Sequence, residues 1–135
     1  MDDDSTTIAD LKRLVLAFSV ERDWVQFHQP KDLGIALASE VGELLDLFRF
    51  RSDRQIQAIL ETPSGRAALS HEMADCLWAL LRLADVCGVD LASSLADKVR
   101  LAGLKYPADR SYGRNDKYTA YRSGPAAGDD LPPPG

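Results

Sequence analysis

Four acidic residues stand inside otherwise apolar segments, and their spacing could support chemistry. Glu40 and Glu43 are three residues apart in "ASEVGELLD", and Glu72 and Asp75 repeat that spacing in "HEMADCLW". Residues three apart lie on one face of a helix. Charged side chains avoid a protein interior unless something compensates them. If the two segments pack side by side, four carboxylates converge, and this predicts a bound cation.

The types of these residues indicate which cation to expect. Carboxylate oxygens are hard ligands, and the two segments add only His71 and Cys76, which lack the partner histidines or cysteines of a zinc site. Mg²⁺ is therefore the expected cofactor, and Mn²⁺ would suit the same ligands. The competing interpretation is that the acidic pairs mark solvated or salt-bridged helix faces. The arginines available for such salt bridges are Arg49, Arg51, Arg66 and Arg82.

The segments around these residues have helical periodicity. Apolar residues recur at spacings of three and four, and no segment alternates convincingly as a strand does. The sequence therefore predicts an all-α fold, a bundle of four to five helices over residues 7–120. An ordered loop is expected at residues 23–31. The predicted helices are Thr7–Arg22, Asp32–Phe50, Ser52–Glu61, Gly65–Val86 and Asp90–Leu104.

The two ends of the chain differ from this helical part. Residues 1–6 are acidic and polar, and we expect them to be disordered. Residues 121–135 are rich in proline, glycine and aspartate and poor in apolar residues. This composition predicts a disordered tail, because such a segment buries too little apolar surface to fold.

The composition of the chain indicates which classes of partner and which cellular compartment to expect. The 135-residue chain has a net charge of −5 at pH 7, which disfavours binding to nucleic acid polymers. No apolar run approaches the roughly 20 residues of a membrane-spanning helix, so no membrane partner is expected. Cys76 and Cys87 fall within a helical pattern and are expected to be reduced core thiols. Together these features favour a cytoplasmic protein.

The motifs resemble those of a known family. E-x-x-E followed by E-x-x-D, with "ERDWVQFHQP" and "KYP", is similar to the MazG-like all-α nucleoside triphosphate pyrophosphohydrolases. Within that family the chain resembles the small single-domain branch that includes the dCTP pyrophosphatases. The resemblance implies a Mg²⁺-dependent enzyme that converts a nucleoside triphosphate to the monophosphate and pyrophosphate. Its substrate would be dCTP or another pyrimidine or modified deoxynucleotide, and its role nucleotide-pool sanitation.

The resemblance also implies roles for particular residues. Glu40, Glu43, Glu72 and Asp75 would be the catalytic residues and the metal ligands. The implied substrate-binding residues are Trp24, His28, Lys31, Phe50, Trp78, Lys98, Lys105 and Tyr106. Two alternatives stay open at the loop: Trp24 either stacks on a base or packs the loop onto the second helix. His28 either reaches the substrate or orders the loop through a hydrogen bond, and the lysines either bind phosphate or are simply solvated.

The sequence also indicates self-association and leaves a second functional hypothesis open. The second and fourth predicted helices are more apolar than a small monomeric bundle requires. The short members of the family that this chain resembles form dimers or tetramers. We therefore expect a homo-oligomer, a tetramer in preference to a dimer. The resemblance implies an asparagine at the position where this chain has Ala102. That difference keeps open a non-catalytic MazG-like module that senses a nucleotide or a metal ion.

Overall fold

Residues 1–121, which the computed structural model describes, form helices and connecting turns without any strand. The α-helices are α1 (Ile8–Glu21), α2 (Pro30–Asp46), α3 (Asp53–Leu60), α4 (Pro63–Val86), α5 (Leu91–Lys105) and α6 (Ala108–Ser111). Short 3-10 helices lie at Val25–Phe27 and Tyr118–Tyr121. The all-α prediction is confirmed. The predicted disordered tail lies outside the described residues from position 122 onward, and the disorder expected at residues 1–6 stays a prediction.

The chain divides into two compact units, Met1–Leu91 and the residues from Ala92 onward. In the first unit α4 is the central element, packing against α1, α2 and α3 and most extensively against α2. The two acidic helices are therefore neighbours. In the second unit the rings of Tyr106 and Tyr121 meet edge to face at 5.9 Å.

Reciprocal side-chain caps fix the starts of two helices. Thr7 accepts a hydrogen bond from the backbone N–H of Asp10, and the Asp10 carboxylate accepts one from the backbone N–H of Thr7. Ser52 and Gln55 form the same reciprocal arrangement at the start of α3. These bonds satisfy backbone N–H groups that no carbonyl of the helix reaches. Both helices accordingly begin within one residue of the predicted start.

Two other helices begin earlier than predicted, and proline explains both. α2 starts at Pro30 rather than Asp32, and α4 starts at Pro63 rather than Gly65. Proline already has a helical φ, and it lacks the N–H that the first turn of a helix leaves unpaired. Gln29 keeps an extended backbone, as expected for a residue before proline.

α2 also ends earlier than predicted, at Asp46 instead of Phe50. The N–H groups of Leu47 and Phe48 turn to carbonyls three residues back, at 3.3 and 3.0 Å. Phe50 then takes a φ of +60°, the left-handed conformation that ends helices and strains a residue with a Cβ. The side chain of Phe50 is left 94% exposed.

The two cysteines are free, in agreement with the prediction that they are reduced. Cys76 is half-buried on α4, whereas Cys87 is exposed at the C-cap of that helix. The prediction of a core thiol is therefore wrong for Cys87, because the helix ends at that position. Within residues 1–121 no helix combines the length and the apolarity needed to cross a membrane.

We expect Gly65→Ala to destabilise the protein. A methyl group at Gly65 would lie 2.5 Å from Cγ2 of Ile59 and would also collide with the Ile59 carbonyl, so α3 and α4 would have to separate where they meet. Overpacking of this kind lowers the free energy of unfolding by about 1–3 kcal/mol. Urea denaturation at a fixed protein concentration measures the loss.

Gly34→Ala is the matched control within α2. Nothing lies within 4 Å of the added methyl group, and alanine stabilises a helix interior over glycine by roughly 0.5–1 kcal/mol. This variant should gain stability. A similar decrease in the free energy of unfolding in both variants would contradict the close contact between α3 and α4.

Candidate metal centre

Three carboxylates of α2 and α4 converge. One oxygen from each of Glu40, Glu43 and Glu72 lies within 4.8 Å of the others. The spacing of three puts the first two on one face of α2, and the packing of α2 against α4 brings Glu72 to them. Glu40 and Glu72 are half-buried and Glu43 is exposed, so the group is accessible from solvent.

Asp75, the fourth predicted ligand, lies outside this converging group but acts on it electrostatically. The pKa of Glu40 is raised, first by burial and then by the negative charges of Glu43, Asp75 and Glu72. Asp75 is therefore close enough to repel a charge on Glu40, although its own side chain is exposed. Like charges gathered in this way favour either protonation or a neutralising cation.

One oxygen of Glu72 shows that these residues fit a metal ion. Glu72 Oε2 is buried, and no group within residues 1–121 donates a hydrogen bond to it. An unpaired buried carboxylate oxygen is costly, and native proteins rarely leave one. A hard divalent cation would satisfy it, because such ions prefer carboxylate oxygens.

Each arginine that could have neutralised the acidic group binds elsewhere. The partners are Asp46 for Arg49, the Leu47 carbonyl for Arg51, the Leu60 carbonyl for Arg66 and Asp85 for Arg82. In the described part of the chain, no basic side chain forms an ion pair with any of the four predicted ligands. The salt-bridge interpretation of the acidic pairs is therefore wrong for residues 1–121.

The loop between α1 and α2 holds Trp24 against α1. Its indole meets the Phe18 ring edge to face at 5.8 Å, and Phe18 meets Trp78 of α4 in the same way at 4.8 Å. Trp24 remains 47% exposed. The ring contact is thus with α1 rather than with the second helix, and much of the indole is accessible to a ligand.

The other predicted substrate residues of the first unit have different surroundings. Nδ1 of half-buried His28 accepts a hydrogen bond from buried Arg82 at 3.3 Å, which supports the loop-ordering alternative. Lys31 is exposed and lies 3.7 Å from Asp32. The Phe50 ring has the Arg49 guanidinium 5.3 Å from its centre.

The remaining predicted residues lie in the second unit. Lys98 is an exposed residue of α5, and Lys105 ends that helix. The ammonium group of Lys105 lies 5.6 Å from the centre of the Tyr118 ring, and Tyr106 is 42% exposed. The roles of all the predicted site residues stay predictions, because nothing in the geometry tests them individually.

Comparison with known proteins gives the family. No protein-family model matches the chain. It is 43% identical to mouse dCTP pyrophosphatase 1 over 113 residues, 84% of this chain and 66% of the mouse protein. It is 39% identical to human dCTP pyrophosphatase 1 over 125 residues, 93% of this chain and 74% of the human protein. This chain belongs to the dCTP pyrophosphatase branch of the MazG-like family.

The fold comparison agrees with this family. A pyrophosphatase from Archaeoglobus fulgidus superposes with a TM-score of 0.69 at 29% sequence identity, covering 79% of this chain and 98% of that one. The match to mouse dCTP pyrophosphatase 1 spans just under two thirds of that protein's length. The family predicted from the sequence is confirmed. Membership implies a divalent metal ion, and the acidic group of α2 and α4 offers the ligands for one.

We expect Glu40→Gln to stabilise the metal-free protein at neutral pH. The pKa of Glu40 is higher in the folded chain than its ordinary value of 4.5, so the folded state binds a proton more readily than the unfolded state. Stability is therefore lost as pH rises from that ordinary value through the raised one. Glutamine removes this loss, so the melting temperature in EDTA should exceed that of the parent at pH 7. The difference should shrink as pH falls below 4.5.

Adding Mg²⁺ should reverse that order. A ligand that binds only the folded state raises the melting temperature, and the parent should gain more than the glutamine variant. Glu61→Gln, at the exposed C-cap of α3, is the control and should behave as the parent in both conditions. A metal-free Glu40→Gln variant that melts below the parent at pH 7 would contradict the electrostatic account.

Proposed function

We propose that this chain is a divalent-metal-dependent nucleoside triphosphate pyrophosphohydrolase. It hydrolyses dCTP, or another pyrimidine or modified deoxynucleotide, to the monophosphate and pyrophosphate. The observation that carries the proposal is the convergence of Glu40, Glu43 and Glu72, with Glu72 Oε2 buried and lacking a donor within residues 1–121. The relatives named dCTP pyrophosphatase 1 support the choice of substrate.

Glu40, Glu43, Glu72 and Asp75 hold the cation, with Mg²⁺ preferred and Mn²⁺ able to replace it. The bound ion would neutralise phosphate charge and lower the pKa of a coordinated water. The need for it follows from charge, because an acidic group in a chain of net charge −5 repels a polyanionic triphosphate. These four side chains therefore recognise the substrate only together with the ion.

Glu40 or Glu43 has the additional role of orienting the attacking water or accepting its proton. Both carboxylates belong to the converging group, so a water held beside the cation would come within reach of either. A general base must lie within hydrogen-bond reach of the proton that it accepts. Trp24 stacks on the base, and the exposed Phe50 ring offers a second stacking surface.

The other substrate contacts follow from charge and position. His28 and Lys31 lie in or beside the loop that carries Trp24, and Trp78 supports that loop through Phe18. The family resemblance gives substrate-binding roles to Lys98, Lys105 and Tyr106 as well. A sanitising role on free nucleotides, together with two free cysteines, favours the cytoplasm as its location.

Pyrophosphate release from a panel of triphosphates tests the proposal. The parent should release pyrophosphate from dCTP with Mg²⁺ and none with EDTA. Glu43→Gln removes a ligand charge and should lower kcat/KM by about a hundredfold or more, the scale of losing one charge-stabilising group in an active site. Glu61→Gln should leave the rate unchanged.

The absence of hydrolysis would decide between the enzyme and the sensing module. A folded parent that binds dCTP and Mg²⁺ without releasing pyrophosphate would contradict the enzyme and support the sensing module. Ala102→Asn would then be the variant to assay, because α5 of this chain lacks the asparagine found in relatives.

We also propose that the chain assembles with copies of itself, as a homotetramer in preference to a dimer. Few apolar side chains of the first unit are buried, and large ones on α4 remain exposed. Met73, Leu77 and Leu80 recur at spacings of four and three, and they are 56%, 43% and 39% exposed. A continuous exposed apolar stripe is typical of an interface.

Sedimentation velocity should detect this assembly and its loss. Leu77→Lys places a charge in the middle of the α4 stripe and should shift the protein to smaller species, because a buried unpaired charge is strongly unfavourable. Ala67→Lys adds the same charge at an exposed position outside the stripe and should leave the assembly intact. A parent that sediments as a monomer would contradict the proposal.

A further inference from the structure

A buried arginine connects α4 to the loop that carries Trp24. Arg82 is only 2% exposed. Its Nη1 donates to Asp85 Oδ2 at 2.6 Å, and its Nε donates to His28 Nδ1 at 3.3 Å. The aspartate lies one turn further along the same helix, whereas the histidine belongs to the loop. A guanidinium is costly to bury, and its two partners offset that cost.

We propose that Arg82 is a positioning residue for the substrate loop, defined as residues 22–29. By donating to His28 Nδ1 it holds the imidazole with its proton on Nε2, and it fixes the loop so that this N–H and the Trp24 indole face the nucleotide. The inference rests on the proposed function, but it concerns a residue outside the metal centre.

The hydrogen bond determines the state of His28. A guanidinium has only donors, so the ring nitrogen that receives its hydrogen bond must be unprotonated. The proton of the neutral ring is therefore on Nε2. The pKa of His28 is lowered, first by burial and then by the positive charge of Arg82, which agrees with a neutral ring. Toward a ligand, Nε2 is a hydrogen-bond donor and suits a phosphate oxygen or an acceptor of the base.

The loop is attached to α4 at two points on one face. Trp24 reaches Trp78 through Phe18, and His28 reaches Arg82. Trp78 and Arg82 are four residues apart, so they lie one turn apart on the same side of the helix. Asp75 precedes Trp78 by three residues on that side. One helix face therefore carries, in order, a predicted metal ligand and both supports of the substrate loop.

Within the loop, backbone hydrogen bonds transmit this attachment to Trp24. The N–H of His28 donates to the Val25 carbonyl at 3.1 Å, and the N–H of Phe27 donates to the Trp24 carbonyl at 2.9 Å. The backbone N–H of Trp24 donates in turn to the backbone carbonyl of Ser19 at 2.9 Å, and Ser19 is a fully buried residue of α1. Releasing His28 would therefore loosen a short set of backbone hydrogen bonds that includes those of Trp24.

Arg82→Met tests the inference, because methionine keeps the apolar stem and removes the donors. Nitrogen-15 NMR should show His28 in the parent as the Nε2-protonated tautomer at pH 7. The only other histidine is His71, so His28→Gln assigns the signals. In Arg82→Met the fixed tautomer should be lost. The KM for dCTP should rise about tenfold, the scale of one charge-assisted hydrogen bond, with a much smaller change in kcat.

Arg82→Lys covers the case in which the methionine variant does not fold. Lysine keeps the charge, and its single ammonium should pair with the Asp85 carboxylate in preference to the neutral imidazole, so the bond to His28 and the fixed tautomer should again be lost. Arg13→Met is the matched control, an exposed arginine of α1 that pairs with Asp10 three residues away on the same helix. It should leave both the tautomer and KM unchanged.

The NMR result separates this inference from the proposed function. A parent that does not hydrolyse dCTP would refute the enzyme, while the tautomer of His28 would still decide the link to Arg82. A folded Arg82 variant with the same His28 tautomer as the parent would overturn the inference. So would a fall in kcat with an unchanged KM, because loop positioning acts on substrate binding.

Discussion

Mutual repulsion among carboxylates is the constraint on which the rest of the structure depends. Packing α2 against α4 brings Glu40, Glu43 and Glu72 within a few ångströms of one another, and the charge of Asp75 adds to their field. The fold holds this unfavourable group between its most extensively packed helices. Stability alone does not require it, because apolar residues would pack there at lower cost. The arrangement is favourable once a cation is bound.

The central helix also links the site to its surroundings. One face of α4 presents Asp75, Trp78 and Arg82 in succession, so the same helix carries a predicted metal ligand and both supports of the loop of residues 22–29. Phe50 is exposed for a different reason. It follows the end of α2 with a strained left-handed backbone, and its ring lies in solvent. Helices thus hold the carboxylates, and two segments between helices expose the Trp24 and Phe50 rings that are proposed to stack on the base.

Features of the fold that depend on local spacing could be predicted from the sequence. Contacts between residues far apart in the chain could not. Spacings of three and four located the helices, and Thr7 and Ser52 fixed two starts through their own side chains. The early end of α2 was missed because Phe50 adopts a conformation that residues other than glycine seldom take. The link between Arg82 and His28 was also missed, because 54 positions separate them and only folding brings them together. An arginine flanked by leucines in an apolar helix was the available signal.

The most direct test of the central claim is anomalous diffraction from a crystal of this protein grown with Mn²⁺. We expect a single-site or paired anomalous peak among the carboxylates of Glu40, Glu43 and Glu72, with Glu72 Oε2 as a ligand. Asp75 should coordinate the ion directly or through a water. Well-ordered carboxylates with no anomalous peak among them, at a manganese concentration that supports hydrolysis, would contradict the account.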